Sequence, residues 1–273
     1  MNNTNLNERY YSRFNLEYNP FIKNNSNLFT YLSNDIKELY YKLDYLLKVR
    51  GIGVVTGSPG KGKTTALRNY FKDYNKSLYK VVYVSMTTLT IREFYSHLIT
   101  EFGYEPAYKK NQNYKIFQQI IKDYENKKIT PIIIIDEANY MSSSILNDLK
   151  MIFNFNMDSE DNYVLILCGL PVLLSNISTS NQEALRQRVI TSYEFDGIFD
   201  SEVQNYIYSK LEKASGPTNI FGDGVIQAIK NASNGSPRVI DRIMDYALLI
   251  ADKQNSSTIT IETIQKAIEQ SSL

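Results

Sequence analysis

The run Gly57-Ser58-Pro59-Gly60-Lys61-Gly62-Lys63-Thr64 constrains this chain more than any other stretch, because it works only where a buried strand runs in and a helix runs out. Both flanks are present. Gly51-Ile52-Gly53-Val54-Val55-Thr56 is a short apolar run suited to a strand buried on both faces, and Thr65 to Phe71 continues as an amphipathic helix. Glycines let successive backbone N–H groups curl around phosphate oxygens at the positive end of the helix dipole. The spacing therefore predicts a nucleotide-binding loop in which Gly57, Ser58, Pro59, Gly60, Lys61, Gly62, Lys63, Thr64 and Thr65 contact the ligand. Lys63 is placed to reach the β- and γ-phosphates, and the Thr64 hydroxyl to coordinate Mg²⁺.

A second signal follows downstream. Ile132-Ile133-Ile134-Ile135 is a buried strand, and Asp136 and Glu137 emerge at its carboxyl end, where ligands bind in parallel sheets. Asp136 is expected to hold Mg²⁺ through water, and Glu137 to polarise the water that attacks the γ-phosphate, a general-base role. A guanine-selecting Asn-Lys-x-Asp is missing: the run Asn75 to Leu78 begins Asn-Lys but lacks the Asp. The expected cofactors are thus ATP and Mg²⁺.

At 273 residues the chain suits a nucleotide-binding α/β domain with a smaller companion. Net charge is +1, so any nucleic-acid contact has to come from a local patch. A single cysteine, Cys168, excludes a disulfide framework and suits a reducing cytoplasm. The polar start, Met1 to Asn5, lacks the apolar core of a signal peptide, and no apolar stretch approaches the ~20 residues of a membrane span. A cytoplasmic protein without a membrane partner is expected.

Alternation of short apolar strands with helices predicts a parallel sheet covered on both faces. The strands are expected at 51–56, 81–85, 131–136, 163–168 and 191–195, and the helices of the first part at 35–49, 65–71, 90–102, 114–125 and 142–155. Ser33 should cap the first helix. Tyr108 to Asn113 reads as a polar stretch leading into a helix. After Asp200 only helices are read, at 201–213, 223–232, 237–252 and 261–270. The organisation is therefore an extended arm over 1–30, an α/β nucleotide-binding domain over 31–199 and a helical lid over 200–273. Tyr10-Tyr11 and Tyr18-Asn19-Pro20-Phe21 are the arm's expected anchors.

Taken in order, the glycine-lysine-threonine loop, Asp136-Glu137-Ala138 after four isoleucines, Leu185-Arg186-Gln187-Arg188 and Gly235-Ser236-Pro237-Arg238 resemble the AAA+ ATPases of the ExeA-like and TnsC-like group. That group includes the ATPase partners of DDE transposases. The similarity runs from about Tyr10 to Gln270 and takes in Tyr18-Asn19-Pro20-Phe21 and Asn154 to Asp158. It implies that Arg188, with Arg186 as the competing choice, is the arginine finger a neighbouring subunit inserts toward the γ-phosphate, and hence an oligomer. It implies that Arg238 is the lid arginine that reads the nucleotide. Pro20 and Phe21 then pack near the adenine, anchor the N-terminus, or do both. One departure stands out: many relatives carry a polar residue at the end of the fourth strand, whereas this chain reads Leu167-Cys168-Gly169-Leu170-Pro171. Slow hydrolysis, or another group in that role, is the expectation.

The resemblance further implies a ring or helical filament around duplex DNA, with contacts to its phosphate backbone. The matching residues are Thr88, Thr90, Arg92, Lys109, Lys110 and Asn111, and the alternative for them is a solvated loop and helix cap. The leading expectation is an ATP-switched regulator of transposition that assembles on target DNA and recruits or activates a DDE transposase. The alternatives are an ExeA-type secretion or envelope-assembly ATPase and another AAA+ switch such as a helicase loader. A membrane span and a cell-wall-binding module would be expected after the lid of the secretion type, and the sequence given ends at Leu273.

Overall fold

The computed structural model of the protein describes residues 13–23, 31–85, 89–152 and 162–271. Tyr10, Tyr11, Thr88 and the Asn154–Asp158 segment lie outside the described residues. The chain divides into two compact units. One comprises Glu38–Ser58 and Lys63–Phe195, and the other Met1–Lys37, Pro59–Gly62 and Asp196–Leu273.

The first unit is built on five strands, β1 (Gly51–Thr56), β2 (Tyr79–Ser85), β3 (Thr130–Asp136), β4 (Val164–Gly169) and β5 (Val189–Glu194), in the order β2-β3-β4-β1-β5. Every pairing is parallel. β1 and β4 are buried at every position, as is β3 after its first residue, which is why they read as unbroken apolar runs. β5, at the sheet edge, alternates between half-buried and exposed positions. It begins at Val189, two residues before the sequence pattern suggested.

The helices of this part are α1 (Asn34–Val49), α2 (Lys63–Phe71), α3 (Ile91–Glu101), α4 (Lys110–Asn126), α5 (Ser143–Ile152), α6 (Val172–Ile177) and α7 (Glu183–Arg186). Ile52, Val54, Ile133, Ile135, Leu165 and Leu167 point to one side of the sheet and join Phe94, Leu98, Phe117 and Leu149 in its core. On the other side Gly53 admits α1: a Cβ there would lie 2.5 Å from Leu46 Cδ2. The Ser33 hydroxyl accepts from Ile36 N–H at 3.2 Å, which caps α1 as its sequence indicates.

Two departures are instructive. Helix α4 starts at Lys110, so most of the stretch expected to precede a helix is helical. Its first inward position is polar: Asn113 is buried, accepts from Ala107 N–H at 2.6 Å and donates to Ser96 Oγ at 3.0 Å. The short helices α6 and α7 and the 3₁₀ turns Ala138–Tyr140 and Ser180–Gln182 are too brief to imprint a helical period on the sequence.

The second unit carries α8 (Val203–Lys213), α9 (Val225–Ser233), α10 (Pro237–Lys253) and α11 (Ile261–Ser271), with an isolated bridge between Phe221 and Ile259. Ile207, Leu211, Ile240, Ile243, Met244 and Leu248 form its core, and Phe14, Leu16 and Phe21 complete it from the N-terminal segment. That segment is fastened along its length. Arg13 Nε meets Asp252 Oδ1 at 2.8 Å, Glu17 N–H donates to Ala214 O at 2.9 Å, and Asn19 Nδ2 donates to Asp245 Oδ1 at 2.6 Å. Beneath it the Lys210 ammonium spans both oxygens of Asp241 at 2.7 Å and lies over the rings of Phe21 and Tyr206.

Candidate nucleotide site

In the sheet-bearing unit the strand ends bring together the residues that sequence spacing singled out. β1 and β3 are separated by β4, and Lys63 opens α2 directly after the loop. The Lys63 ammonium, almost wholly buried, donates to Gly57 O at 2.7 Å and Ser58 O at 3.0 Å. It is thus held by the carbonyls of its own loop. Gly57 is required by close approach, since a Cβ there would stand 2.3 Å from Phe195 O.

Thr64 Oγ1 donates to Asp136 Oδ2 at 2.7 Å, which ties the loop to the acid at the end of β3. Glu137 N–H donates to Asp136 Oδ1 at 2.9 Å. Glu137 itself is exposed and occupies the left-handed backbone region, with φ 55° and ψ 33°. For a non-glycine residue that conformation costs on the order of 1–2 kcal/mol, a strain that clusters at functional positions. It turns the chain so that the acid leaves the sheet edge instead of continuing the strand.

Two contributors carry no sequence motif. Tyr83, on β2, donates from its hydroxyl to Asp136 Oδ2 at 2.6 Å. Burial, reinforced by that hydrogen bond, pushes the Tyr83 hydroxyl well above the usual phenol range, so it stays a donor. Asn139, two residues after Glu137, accepts from Leu170 N–H at 2.9 Å through its Oδ1, and a Cβ on Gly169 would meet that same oxygen at 2.6 Å. The end of β4, apolar in sequence, is thus met by a side-chain amide from the neighbouring loop. Burial, followed by the charge of Asp136, pushes the Cys168 thiol far up, so the sulfur at the strand end is an S–H and not a thiolate.

In the helical unit, the loop tip Pro59–Gly62 is fixed by the start of α10. Ser236 Oγ donates to Gly60 O at 3.1 Å, and Arg238 N–H reaches the same carbonyl at 3.4 Å. The Lys61 ammonium donates to Asn234 O. Gly60 has φ 76°, and a Cβ on it would meet Ser236 Oγ at 2.9 Å. Ser236 also caps α10, with Pro237 at its first position, so Arg238 stands in the opening turn of a helix whose N-terminus meets the loop.

The remaining expected residues are dispersed. Arg188 is half-buried in the turn before β5, where its carbonyl accepts from Ile52 N–H at 3.4 Å. Arg186 is exposed and donates to Ser178 O at 3.2 Å. Pro20 and Phe21 are buried, with Phe21 in the core of the helical unit. Thr90 caps α3: its hydroxyl accepts from Glu93 N–H at 3.3 Å while its own N–H donates to Glu93 Oε2 at 2.8 Å. The Arg92 guanidinium lies 5.0 Å from the Tyr108 ring centre. Lys110 is tied to Asp148 at 2.7 Å, and Lys109 and Asn111 are exposed.

Mg²⁺ fits this donor set. Among the described residues no group of three or more His, Cys, Asp or Glu side chains is assembled to hold a metal. One hydroxyl and one carboxylate, both hard oxygen donors, are what Mg²⁺ uses when substrate phosphates and water complete its shell.

Comparison with known proteins bears on the same residues. Residues 47–177 match the family described as AAA domain. That stretch of the chain is an AAA domain. It is 26% identical over 255 residues to General secretion pathway protein A of Aeromonas hydrophila, covering 92% of this chain and 46% of that protein. It is 20% identical over 223 residues to the ATP-dependent target DNA activator B of Escherichia phage D108, covering 79% of this chain and 65% of that one. The chain thus spans about half to two thirds of the length of these curated relatives. The crystal structure of Cdc6p from Pyrobaculum aerophilum superposes with a TM-score of 0.69 at 14% identity, covering 92% of this chain and 70% of that one, a likeness of fold. The AAA+ fold expected from sequence is therefore the fold observed. No helix of the described residues is long and apolar enough to cross a membrane.

Proposed function

We propose that this AAA+ protein binds ATP with Mg²⁺, hydrolyses it, and uses the ATP-bound state to assemble as a ring or filament on duplex DNA, where it recruits or activates a DDE transposase. The observation that carries the nucleotide part is the Thr64–Asp136 hydrogen bond. A hydroxyl that gives its proton to Asp136 keeps its lone pairs for a metal, and Asp136 keeps an oxygen for a metal-bound water. Mg²⁺ held by Thr64, and by Asp136 through water, would neutralise charge on the transferred phosphoryl group. Lys63 exchanges the carbonyls of Gly57 and Ser58 for phosphate oxygens, and Glu137 orients the attacking water. Arg188, or Arg186, comes from a neighbouring copy, and Arg238 reports the nucleotide to the lid. In this reading 1–30 is the arm, 31–199 the nucleotide-binding domain and 200–273 the lid.

DNA is supported by the phage relatives, which are ATP-dependent target DNA activators by name. Arg92, Lys109 and Asn111 are exposed on this chain and suit the phosphate backbone, while Lys110 is already committed to Asp148. Few contacts per copy suffice when an assembly multiplies them, so a net charge of +1 is no obstacle. Electron microscopy with duplex DNA, with and without a non-hydrolysable ATP analogue, tests the proposal. Ordered assemblies only when both are present support it, and monomers under all conditions refute it. The secretion-pathway relative, the more identical of the two, favours a second reading in which the same ATP switch drives envelope assembly. ATP-dependent oligomers indifferent to DNA would select that reading.

A further inference from the structure

Tyr83 reaches the acid of this site from the next strand. In the parallel register Tyr83 stands beside Ile134 and Ser85 beside Asp136. Tyr83 and Asp136 therefore share one face of the sheet, offset by two positions, a diagonal that a long aromatic side chain can span. The tyrosine is 44% exposed, whereas Asp136 is 5% exposed. Although the side chain is this exposed, its hydroxyl is committed to the carboxylate at 2.6 Å.

The consequence lies in how the lone pairs of Asp136 are divided. Oδ2 accepts from Tyr83 at 2.6 Å and from Thr64 at 2.7 Å, which fills its two acceptor positions. Oδ1 accepts from Glu137 N–H at 2.9 Å, and the Cys168 thiol gives the carboxylate a further, weaker hydrogen bond. We infer that Tyr83 is a positioning residue for the divalent cation. By occupying Oδ2 together with Thr64, it prevents the carboxylate from rotating and so holds it in one orientation toward a metal-bound water. The role rests on the Mg²⁺–ATP reading above and adds a residue on β2 to the two strands that motif spacing identifies.

Tyr83→Phe removes the hydroxyl and keeps the ring, and the readout is binding and not turnover. Affinity of the full chain for a fluorescent ATP analogue is measured by anisotropy in EDTA and over a range of Mg²⁺ concentrations, alongside thermal unfolding without ligand. The expected result is affinity in EDTA and an unfolding midpoint close to those of the parent. The Mg²⁺ concentration giving half of the metal-dependent gain should rise about tenfold, the scale on which outer-shell partners act on metal affinity. An unchanged Mg²⁺ dependence overturns the inference, and so does an equal loss of affinity in EDTA, which marks a purely structural role. A parent chain that binds the analogue but ignores Mg²⁺ overturns the inference too. A parent that binds no analogue under any condition overturns the nucleotide reading itself.

Discussion

Lys63 and Glu137 make opposite demands on the same loop and strand, and their variants should separate binding from turnover. Lys63→Ala removes an ammonium that is buried and pre-placed among loop carbonyls. It should abolish binding of the fluorescent ATP analogue and with it any nucleotide-dependent retention of DNA in a gel-shift assay. Glu137→Gln keeps the size and hydrogen-bonding reach of an exposed side chain but withdraws the proposed base. Binding should persist while phosphate release falls on the order of 10²- to 10⁴-fold, the usual worth of general-base catalysis. Loss of DNA retention in Glu137→Gln would contradict that separation. Cys168 gives a pH signature. Its thiol is held protonated in the fold, whereas an unfolded cysteine ionises near ~8.5, so above that pH the unfolded state sheds a proton that the folded state retains. Stability should fall as pH rises beyond it, by up to ~1.4 kcal/mol per unit, and Cys168→Ala should flatten that slope in urea titrations read at pH 8 to 9.5.

Elements buried on both faces were legible because burial leaves a continuous apolar run, as in Ile132–Ile135 and Val164–Cys168. The start of α4 was not, although its inward positions Asn113, Phe117, Ile120 and Ile121 keep a helical spacing. The first of them is an asparagine satisfied by Ala107 and Ser96, partners that only the folded chain supplies. Tyr83 escaped for a related reason: its role depends on the register between β2 and β3, which no motif encodes. The pairing of α8 with α10 was equally hidden, since Lys210 and Asp241 stand on separate helices. Burial lowers the affinity of Lys210 for its proton and raises that of Asp241, so each charge relies on the other. Lys210→Met alone should cost about 3–5 kcal/mol by stranding a buried carboxylate, and Lys210→Met with Asp241→Leu should recover most of it, as read from chemical denaturation.

At the scale of the whole molecule, the two units place different demands on sequence. The helical unit recruits Phe14, Leu16 and Phe21 from the far end of the chain into its core, so the N-terminal segment is structural before it is anything else. Phe21→Ala should lower the unfolding free energy by about 3–5 kcal/mol, the usual effect of emptying a buried phenyl site, with denaturant midpoints as the measure. DNA binding, if it arises from a multiplied set of weak phosphate contacts, should weaken steeply with salt, with each contact per copy adding ~0.9 to the logarithmic slope. The left-handed backbone at Glu137 has a consequence for how such a chain evolves. Asparagine or glycine would occupy that conformation with less strain, so Glu137→Gly should raise the melting temperature while silencing turnover. Selection for durability alone would discard the acid, and a lineage that still carries glutamate there reveals that its ancestors were screened for what the site does, not for how long the fold lasts.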